Sequence, residues 1–313
     1  MADWKILICD SLAHTGIERL RQFAQVDDQS GISAGELSEK IPLYDAIVVR
    51  SRTKVTANLL DKAANLKLIA RAGVGVDNID LQAAKSYGVN VVNTPVATTT
   101  AVAEHTMGLL LSLVRHIPRA DHTLKSGKWG KKSLVGMELA EKTLGIIGVG
   151  NIGQAVAQRA KGFELNLIGY DPALSATDFE SLQVEPVSLP QLYARANIIS
   201  LHTPLNADTR GMINAAAFDQ MKPGVLILST ARGGIIDEDE LLQRLNSGQV
   251  GGAGLDVYAQ EPPTNLELLT HPNVVATPHI AAQTKEAQNR AAVHAAEEIE
   301  RKINGIPLRW QIV

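Results

Sequence analysis

Three side chains of chemically useful type stand just beyond apolar runs that are far apart in the chain. Arg232 follows the run 225–229, in Ser229-Thr230-Ala231-Arg232-Gly233-Gly234. Glu261 follows the run 253–257, in Asp256-Val257-Tyr258-Ala259-Gln260-Glu261-Pro262-Pro263. His279 follows the run 274–276, where Thr277-Pro278 ends the strand because proline removes a ladder donor. An imidazole in such a place either caps a turn or moves protons near neutrality at the mouth of a cleft. As a base it contributes typically about 10²–10⁴-fold. A carboxylate against its other ring nitrogen fixes the tautomer and favours the cation. A guanidinium fork grips a carboxylate in two places and polarises the carbonyl beside it. Each residue also has an ordinary alternative: Glu261 as a solvated loop residue, Arg232 paired with Asp237, His279 as a turn cap.

The elements that must position them are legible as short apolar runs separated by helical patterns. They fall at 6–9, 46–49, 66–70 and 89–92, and later at 144–147, 165–169, 198–201, 225–229, 253–257 and 274–276. Strand–helix alternation implies parallel sheets and an α/β fold. Six strands make a complete doubly wound, Rossmann dinucleotide-binding sheet, and the first four form a smaller, flavodoxin-like sheet that carries substrate. Parallel strands send their carboxyl ends to one edge, where ligands of such sheets bind. Arg232, Glu261 and His279 therefore share an edge. We expect the dinucleotide domain over 98–285 and a discontinuous substrate domain over 1–97 and 286–313, the apolar tail 308–313 returning to the first sheet.

A helix is expected over about 100–126. Its middle, Met107 to Val114, is apolar on nearly every face and needs cover all round. A second subunit would supply that cover, so the expectation is a homodimer or larger homo-oligomer through residues 98–143. The last helix, about 284–304, carries an apolar stripe of Ala287, Ala291, Ala295, Ile299 and Ile303, and Gly305 and Pro307 stop it.

Composition narrows the function classes. The chain has 313 residues, 45% of them apolar and only 4% aromatic, which suits aliphatic parallel sheets. A net charge of −3 with scattered Lys and Arg gives no footprint for nucleic acid. Cys9, the one cysteine, lies in an apolar run and reads as a core thiol. The opening MADWKILICD is a strand broken by charges rather than a signal peptide, and no apolar run approaches about 18 residues. A cytoplasmic protein with neither membrane span nor metal site is expected.

The cofactor motif is Gly148-Val149-Gly150-Asn151-Ile152-Gly153, with a strand before it and a helical pattern after it. The first glycine permits the turn, the second lets backbone approach a pyrophosphate, and the third lets helix and strand pack. The helix N-terminus offers N–H groups and partial positive charge to phosphates. The next strand ends in Asp171, placed to accept from ribose hydroxyls. No basic residue follows in Pro172-Ala173-Leu174-Ser175, so NAD is preferred over NADP. With a nicotinamide beside them, the three residues describe hydride transfer from a hydroxy-bearing carbon, His279 removing the hydroxyl proton.

LGIIGVGNIGQAVA, STARGGIIDEDELLQRL, GAGLDVYAQEPP and TPHIAAQT resemble the D-isomer-specific 2-hydroxyacid dehydrogenase family, over nearly the whole chain. The resemblance implies that Arg232, Glu261 and His279 are catalytic. It also implies cofactor contacts from Asn151, Ile152, Asp171, Thr230, Ala231, Ala281 and the segment His202-Thr203-Pro204, with Asp256 holding the nicotinamide amide. Glu261 stands where formate dehydrogenases of this fold carry glutamine.

Substrate contacts are sought in the first sheet. After the run 46–49 come Arg50, Arg52 and Lys54; after 66–70 come Arg71 and the bare-backbone loop Gly73-Val74-Gly75, suited to an anion. This is either a solvated charge run or a site for a second anionic group such as phosphate. VRSRTKVTANLL, LIARAGVGVDNIDLQAA and SGKWGKKSLVGMEL are similar to the branch of the family that oxidises D-3-phosphoglycerate. That similarity implies roles for Arg50, Arg71 and, from a partner subunit, Lys131. Two positions depart from the pattern: Thr98 replaces an asparagine, and Lys131 an arginine. Serine feedback through an appended domain is not expected of a chain ending at Val313. The other readings are reduction of glyoxylate, hydroxypyruvate or another 2-keto acid, and a NAD-sensing binding protein like the C-terminal-binding-protein corepressors, which retain the same three residues. For an enzyme, the domains should close on substrate to exclude water.

Overall fold

The structure is a computed structural model that describes residues 4–313. The first three residues of the MADWKILICD stretch lie outside the described residues. Two all-parallel sheets are present. The first contains β1 (Lys5–Ile8), β2 (Gln25–Asp28), β3 (Ala46–Val49), β4 (Leu68–Arg71) and β5 (Asn90–Val92), in the order β2-β1-β3-β4-β5. The second contains β6 (Thr143–Ile147), β7 (Asn166–Tyr170), β8 (Glu185–Pro186), β9 (Ile198–Leu201), β10 (Val225–Ser229), β11 (Val250–Leu255) and β12 (Val274–Ala276), in the order β12-β11-β10-β9-β6-β7-β8. Strand order reverses between β6 and β9, the switch point at which doubly wound sheets bind ligands.

Central strands such as β3, β9 and β10 are buried at every position, because helices cover both faces. Five and seven strands replace the expected four and six. The two additions, β2 (QVDD) and β8 (EP), are edge strands with mostly exposed side chains. An edge strand pairs on one side only and carries charge there, so no apolar run betrays it.

The chain divides into two compact units. One comprises residues up to Thr99 together with Ala282–Val313; the other is Thr100–Ala281. In the first, the C-terminal tail lies antiparallel on β5: Val91 N donates to Val313 O at 3.1 Å, and Ile312 N to Val91 O at 2.7 Å. Glu298, wholly buried, fixes the start of this tail by accepting from Arg309 N at 2.8 Å and Arg309 Nε at 2.9 Å. The helix Lys285–Ile303, capped by the Thr284 hydroxyl on Ala287 N, buries the stripe Ala287, Ala291, Ala295 and Ile299.

In the second unit, the helix Thr99–Val114 buries Ala103, Met107, Leu110 and Leu113 against Leu144, Ile146 and Leu228. The single helix expected to run to Ser126 is interrupted. His116 is left-handed, with φ 54°, and a second helix spans Ile117–Lys125. Pro118 is the cause: it lacks an N–H, and its ring would clash with the carbonyl four residues back. This second helix buries none of its side chains.

Gly16, in the helix His14–Arg21, shows how tightly the first unit is packed. A Cβ there would stand 2.5 Å from Ala292 Cβ and 2.8 Å from its carbonyl carbon. Gly16→Ala gains about 1 kcal/mol of helix propensity but overpacks against backbone at about 1–3 kcal/mol. We expect net destabilisation and a lower Tm by calorimetry; an unchanged or raised Tm would contradict this contact.

Candidate active site

The site is built where β6, β9, β10, β11 and β12 end on one edge of the second sheet. His279 lies three residues beyond β12. Its Nδ1 is 2.7 Å from Glu261 Oε2. An ionised carboxylate only accepts, so Nδ1 carries the proton and Nε2 presents a lone pair: the tautomer of a general base. Both side chains are solvent-accessible, at 49% and 38%. An exposed pair of this kind adds little stability, so its contribution is orientation. Glu261 is itself held, Oε1 accepting from Tyr258 N at 3.2 Å, while Glu238 accepts from Ala259 N at 2.5 Å. Arg232 sits three residues beyond β10, its Nη1 donating to Ala231 O at 2.6 Å. Asp237, its alternative partner by sequence, caps the next helix by accepting from Glu240 N. The loop of Arg232 packs on that of Glu261: a Cβ on Gly233 would lie 1.7 Å from Tyr258 O.

His279 is one of few non-glycine residues with positive φ, at 52°. The turn that imposes this is gathered by Asp256, fully buried and first beyond β11. Its Oδ1 accepts from Thr277 Oγ1 at 2.6 Å and Ile280 N at 2.8 Å; its Oδ2 accepts from Ala281 N at 2.8 Å. Burial alone would push this carboxyl up, but contacts from His105, Thr277, Ile280 and Ala281 outweigh burial and hold it below the ordinary carboxylate value. The contributions of His105, Thr277 and Glu238 were not read from sequence. The one available signal was the polar triplet Glu104-His105-Thr106 interrupting an otherwise apolar helix.

The glycine turn stands on the same edge. Gly148 has φ +87°, and a Cβ there would lie 2.8 Å from the carbonyl of His202, at the switch point. Nothing lies within 4 Å of where Gly150 would carry a Cβ, whereas a Cβ on Gly153 would lie 2.2 Å from Gly148 O and is excluded. The helix Asn151–Lys161 begins here, with Asn151 exposed and Ile152 half-buried. Asp171 lies across the turn, Oδ2 accepting from Val149 N at 2.8 Å and Oδ1 from Ala173 N at 2.9 Å. Thr230 and Ala231 are buried beyond β10, Ala281 is buried beyond His279, and Pro204 is exposed. His202 Nδ1, Thr203 Oγ1 and Ser229 Oγ are buried with no protein partner. Orphaned polar atoms at a switch point, beside a glycine turn with an open approach, fit a bound dinucleotide.

Residues 107–281 match the model described as D-isomer specific 2-hydroxyacid dehydrogenase, NAD binding domain. The chain belongs to the D-isomer specific 2-hydroxyacid dehydrogenase family. NAD is thus the dinucleotide of this domain. The chain is 48% identical to a hydroxypyruvate reductase of Thermotoga maritima over 97% of its own length and 99% of that protein. It is 44% identical to a D-3-phosphoglycerate dehydrogenase of Synechocystis sp. over 97% of its length, spanning 55% of that relative. A glyoxylate reductase structure from Paecilomyes thermophila superposes with a TM-score of 0.92 at 30% identity, covering 100% of this chain and 99% of that one.

In the first unit, the cation loop after β3 is shaped from both sides. Asp10, 4% exposed, accepts from Arg50 N at 2.6 Å, Thr53 N at 3.2 Å and Thr53 Oγ1 at 2.6 Å, while Asn78 Nδ2 donates to Arg50 O and Thr53 O. Arg52, expected as a substrate contact, also makes contacts within the first unit. Its guanidinium donates to Cys9 O at 2.6 Å and Ile32 O at 3.0 Å and pairs with Asp10 at 3.0 Å. These contacts hold the loop, while 52% of the side chain stays exposed. Arg50 is half-buried, Nη1 reaching Ser11 O at 3.2 Å, and Lys54 is exposed. Arg71 folds over Gly73, where φ is +147° and a Cβ would lie 1.5 Å from the guanidinium. Val74 and Gly75 follow, half-buried; Thr98 is buried. Lys131, in the second unit, is exposed.

His202 gives the site an acid sensitivity. Burial lowers it to about 4 from its usual 6.5, with Nε2 against Ser200 Oγ at 2.8 Å. The unfolded chain takes up this proton as pH falls through 6.5, whereas the folded chain resists until about 4. The contribution of His202 to stability is therefore complete above pH 6.5 and is lost toward pH 4, by up to about 3 kcal/mol. Urea titrations across that window should show a shallower pH slope for His202→Asn than for wild type; identical slopes would contradict a neutral, half-buried His202.

Proposed function

We propose that the protein is an NAD-dependent D-2-hydroxyacid dehydrogenase that oxidises D-3-phosphoglycerate to 3-phosphohydroxypyruvate, the step that opens serine biosynthesis. The observation that carries the reading is the 2.7 Å contact of His279 Nδ1 with Glu261 on the edge that bears the glycine turn. His279 Nε2 takes the hydroxyl proton as the C2–H bond gives up its hydride. Glu261 keeps the imidazole in the receptive tautomer and stabilises the cation that forms. Arg232 grips the substrate carboxylate and polarises the C2 oxygen. Bound NAD supplies the hydride acceptor. Asn151 and Ile152 at the helix N-terminus hold the pyrophosphate, Asp171 the ribose, and Thr230 and Asp256 the nicotinamide amide.

The phosphorylated substrate is supported by the phosphoglycerate dehydrogenase relatives, at 40–47% identity, and by Arg50, Arg71, Lys54 and Lys131 as anion contacts. The chain spans 49–58% of the length of those relatives. A second reading, hydroxypyruvate reduction, is favoured by the relative matched over 99% of its length and by the engagement of Arg52. A homodimer through residues 98–143 accounts for Ile117, Leu124, Trp129 and Val135, which are 50–83% exposed; a monomeric mass by light scattering would contradict it. No helix among the described residues is long and apolar enough to cross a membrane. A cytoplasmic location is part of the proposal, and fractionation of cells expressing the native chain with membranes would contradict it.

The test is the ratio of kcat/KM for 3-phosphoglycerate to that for glycerate, measured with NAD. We expect at least about a hundredfold preference for the phosphorylated acid, from charge-assisted contacts of about 1.5–3 kcal/mol each. Equal values would leave the second reading. His279→Ala should lower kcat by about 10²–10⁴-fold with NAD affinity retained. A wild type as inert as this variant, yet binding NAD tightly, would instead indicate an NAD sensor.

A further inference from the structure

We infer that His105 is a positioning residue for His279, acting through the Thr277 hydroxyl and the Asp256 carboxylate. The inference deepens the proposed function and rests on His279 being its base.

His279 occupies a left-handed conformation, at φ 52°, that few residues with a side chain adopt and that its surroundings here reinforce. The surroundings are specific. Thr277 N donates to Leu255 O at 2.9 Å and His279 N to Thr277 O at 3.1 Å, so the chain folds back at once after β12. The next two amides, of Ile280 and Ala281, both end on Asp256. Whatever fixes Asp256 and Thr277 therefore fixes the direction in which the imidazole leaves the backbone.

Proton placement in this cluster follows from counting donors. The Thr277 hydroxyl has one proton. Asp256 Oδ1, at 2.6 Å, is a carboxylate oxygen that only accepts, and the competing acceptor Leu255 O is at 3.4 Å. The proton goes to Asp256. His105 Nε2, 3.0 Å from the same hydroxyl oxygen, must then be the donor to it. It also lies 3.5 Å from Asp256 Oδ1, adding a favourable dipole at a buried anion. His105 is thus held as an Nε2–H donor that keeps the Thr277 proton on Asp256. Without it, the hydroxyl is free to turn toward Leu255 O, and the carboxylate loses one of three donors.

The neighbouring side chain on the helix Thr99–Val114 works in the same way. Thr106 Oγ1 donates to Val102 O at 2.8 Å, so in its 2.9 Å contact with Thr230 Oγ1 it must accept. The Thr230 proton is drawn onto the helix, and its oxygen is left with acceptor lone pairs. One helical turn therefore sets hydroxyl directions beyond both β10 and β12.

The test separates hydrogen bonding from packing. Leu at position 105 fills space but cannot donate; Gln carries an N–H near the place of Nε2. Amide hydrogen exchange of Ile280 and Ala281, followed in the full chain without ligands, should be at least tenfold faster in His105→Leu than in wild type. It should stay within about threefold in His105→Gln. The kcat should follow the same order. Thr277→Val and Thr277→Ser repeat the comparison away from the helix: the valine variant should lose protection and the serine variant keep it. Equal exchange in wild type and His105→Leu, or leucine tolerated better than glutamine, would overturn the inference. If His105→Leu does not fold, equal exchange in the two Thr277 variants would overturn it. The exchange measurement needs no substrate. A wild type inert toward 2-hydroxy acids that still shows the exchange contrast would count against the proposed function and in favour of the contact chain.

Discussion

The candidate site depends on one buried carboxylate. Asp256 stands at the end of β11 and collects the Thr277 hydroxyl and the Ile280 and Ala281 amides, all within 2.8 Å. Each such bond to a charged acceptor contributes about 1.5–3 kcal/mol, and leaving the donors buried and unpaired would cost a similar amount. A left-handed conformation at a residue with a Cβ costs only about 1–2 kcal/mol. The hydrogen bonds therefore win, and His279 is held in a turn its own backbone preferences oppose. Proline at 278 contributes by ending the strand where the turn must begin.

The rest of the arrangement follows from parallel topology. Every strand of the second sheet delivers its carboxyl end to one edge, so residues as distant in sequence as Gly148, Arg232, Glu261 and His279 stand beyond strand ends on the same edge, where Glu261 and His279 are in contact. Small residues then let adjacent loops touch, as Gly233 does against Tyr258 and Gly148 against His202. The first unit uses the same device. Asp10, just beyond β1, holds the amides of Arg50 and Thr53, and Asn78 holds their carbonyls. In both units a buried side chain shapes a loop whose other side chains remain available for ligands.

Much of this was legible in the sequence because burial leaves a pattern. Ten of the strands announced themselves as apolar runs, and the glycine spacing marked the turn between β6 and its helix. The two strands that escaped notice, β2 and β8, lie at sheet edges where charge replaces apolar residues. The break at His116 was hidden because an apolar stretch runs up to it, so the helical pattern continues past the residue where the backbone turns left-handed. Arg52 shows what charge spacing leaves out: beside any anion that it meets, its guanidinium also donates to the carbonyls of Cys9 and Ile32, which no side-chain pattern displays. The support from His105 was equally hidden, since hydroxyl and imidazole proton directions arise only from three-dimensional contact.

The central claim is that Asp256 maintains the geometry of the base. The measurement that bears on it most directly is kcat/KM of Asp256→Asn for the hydroxy acid at saturating NAD, beside its NAD Kd, Tm and circular dichroism. An asparagine there keeps the shape but turns an NH₂ toward groups that are all donors. The account predicts a folded protein whose kcat/KM falls by about a hundredfold or more, in line with the roughly 10²–10⁴-fold value of a positioned base. A folded variant within about threefold of wild type would contradict it.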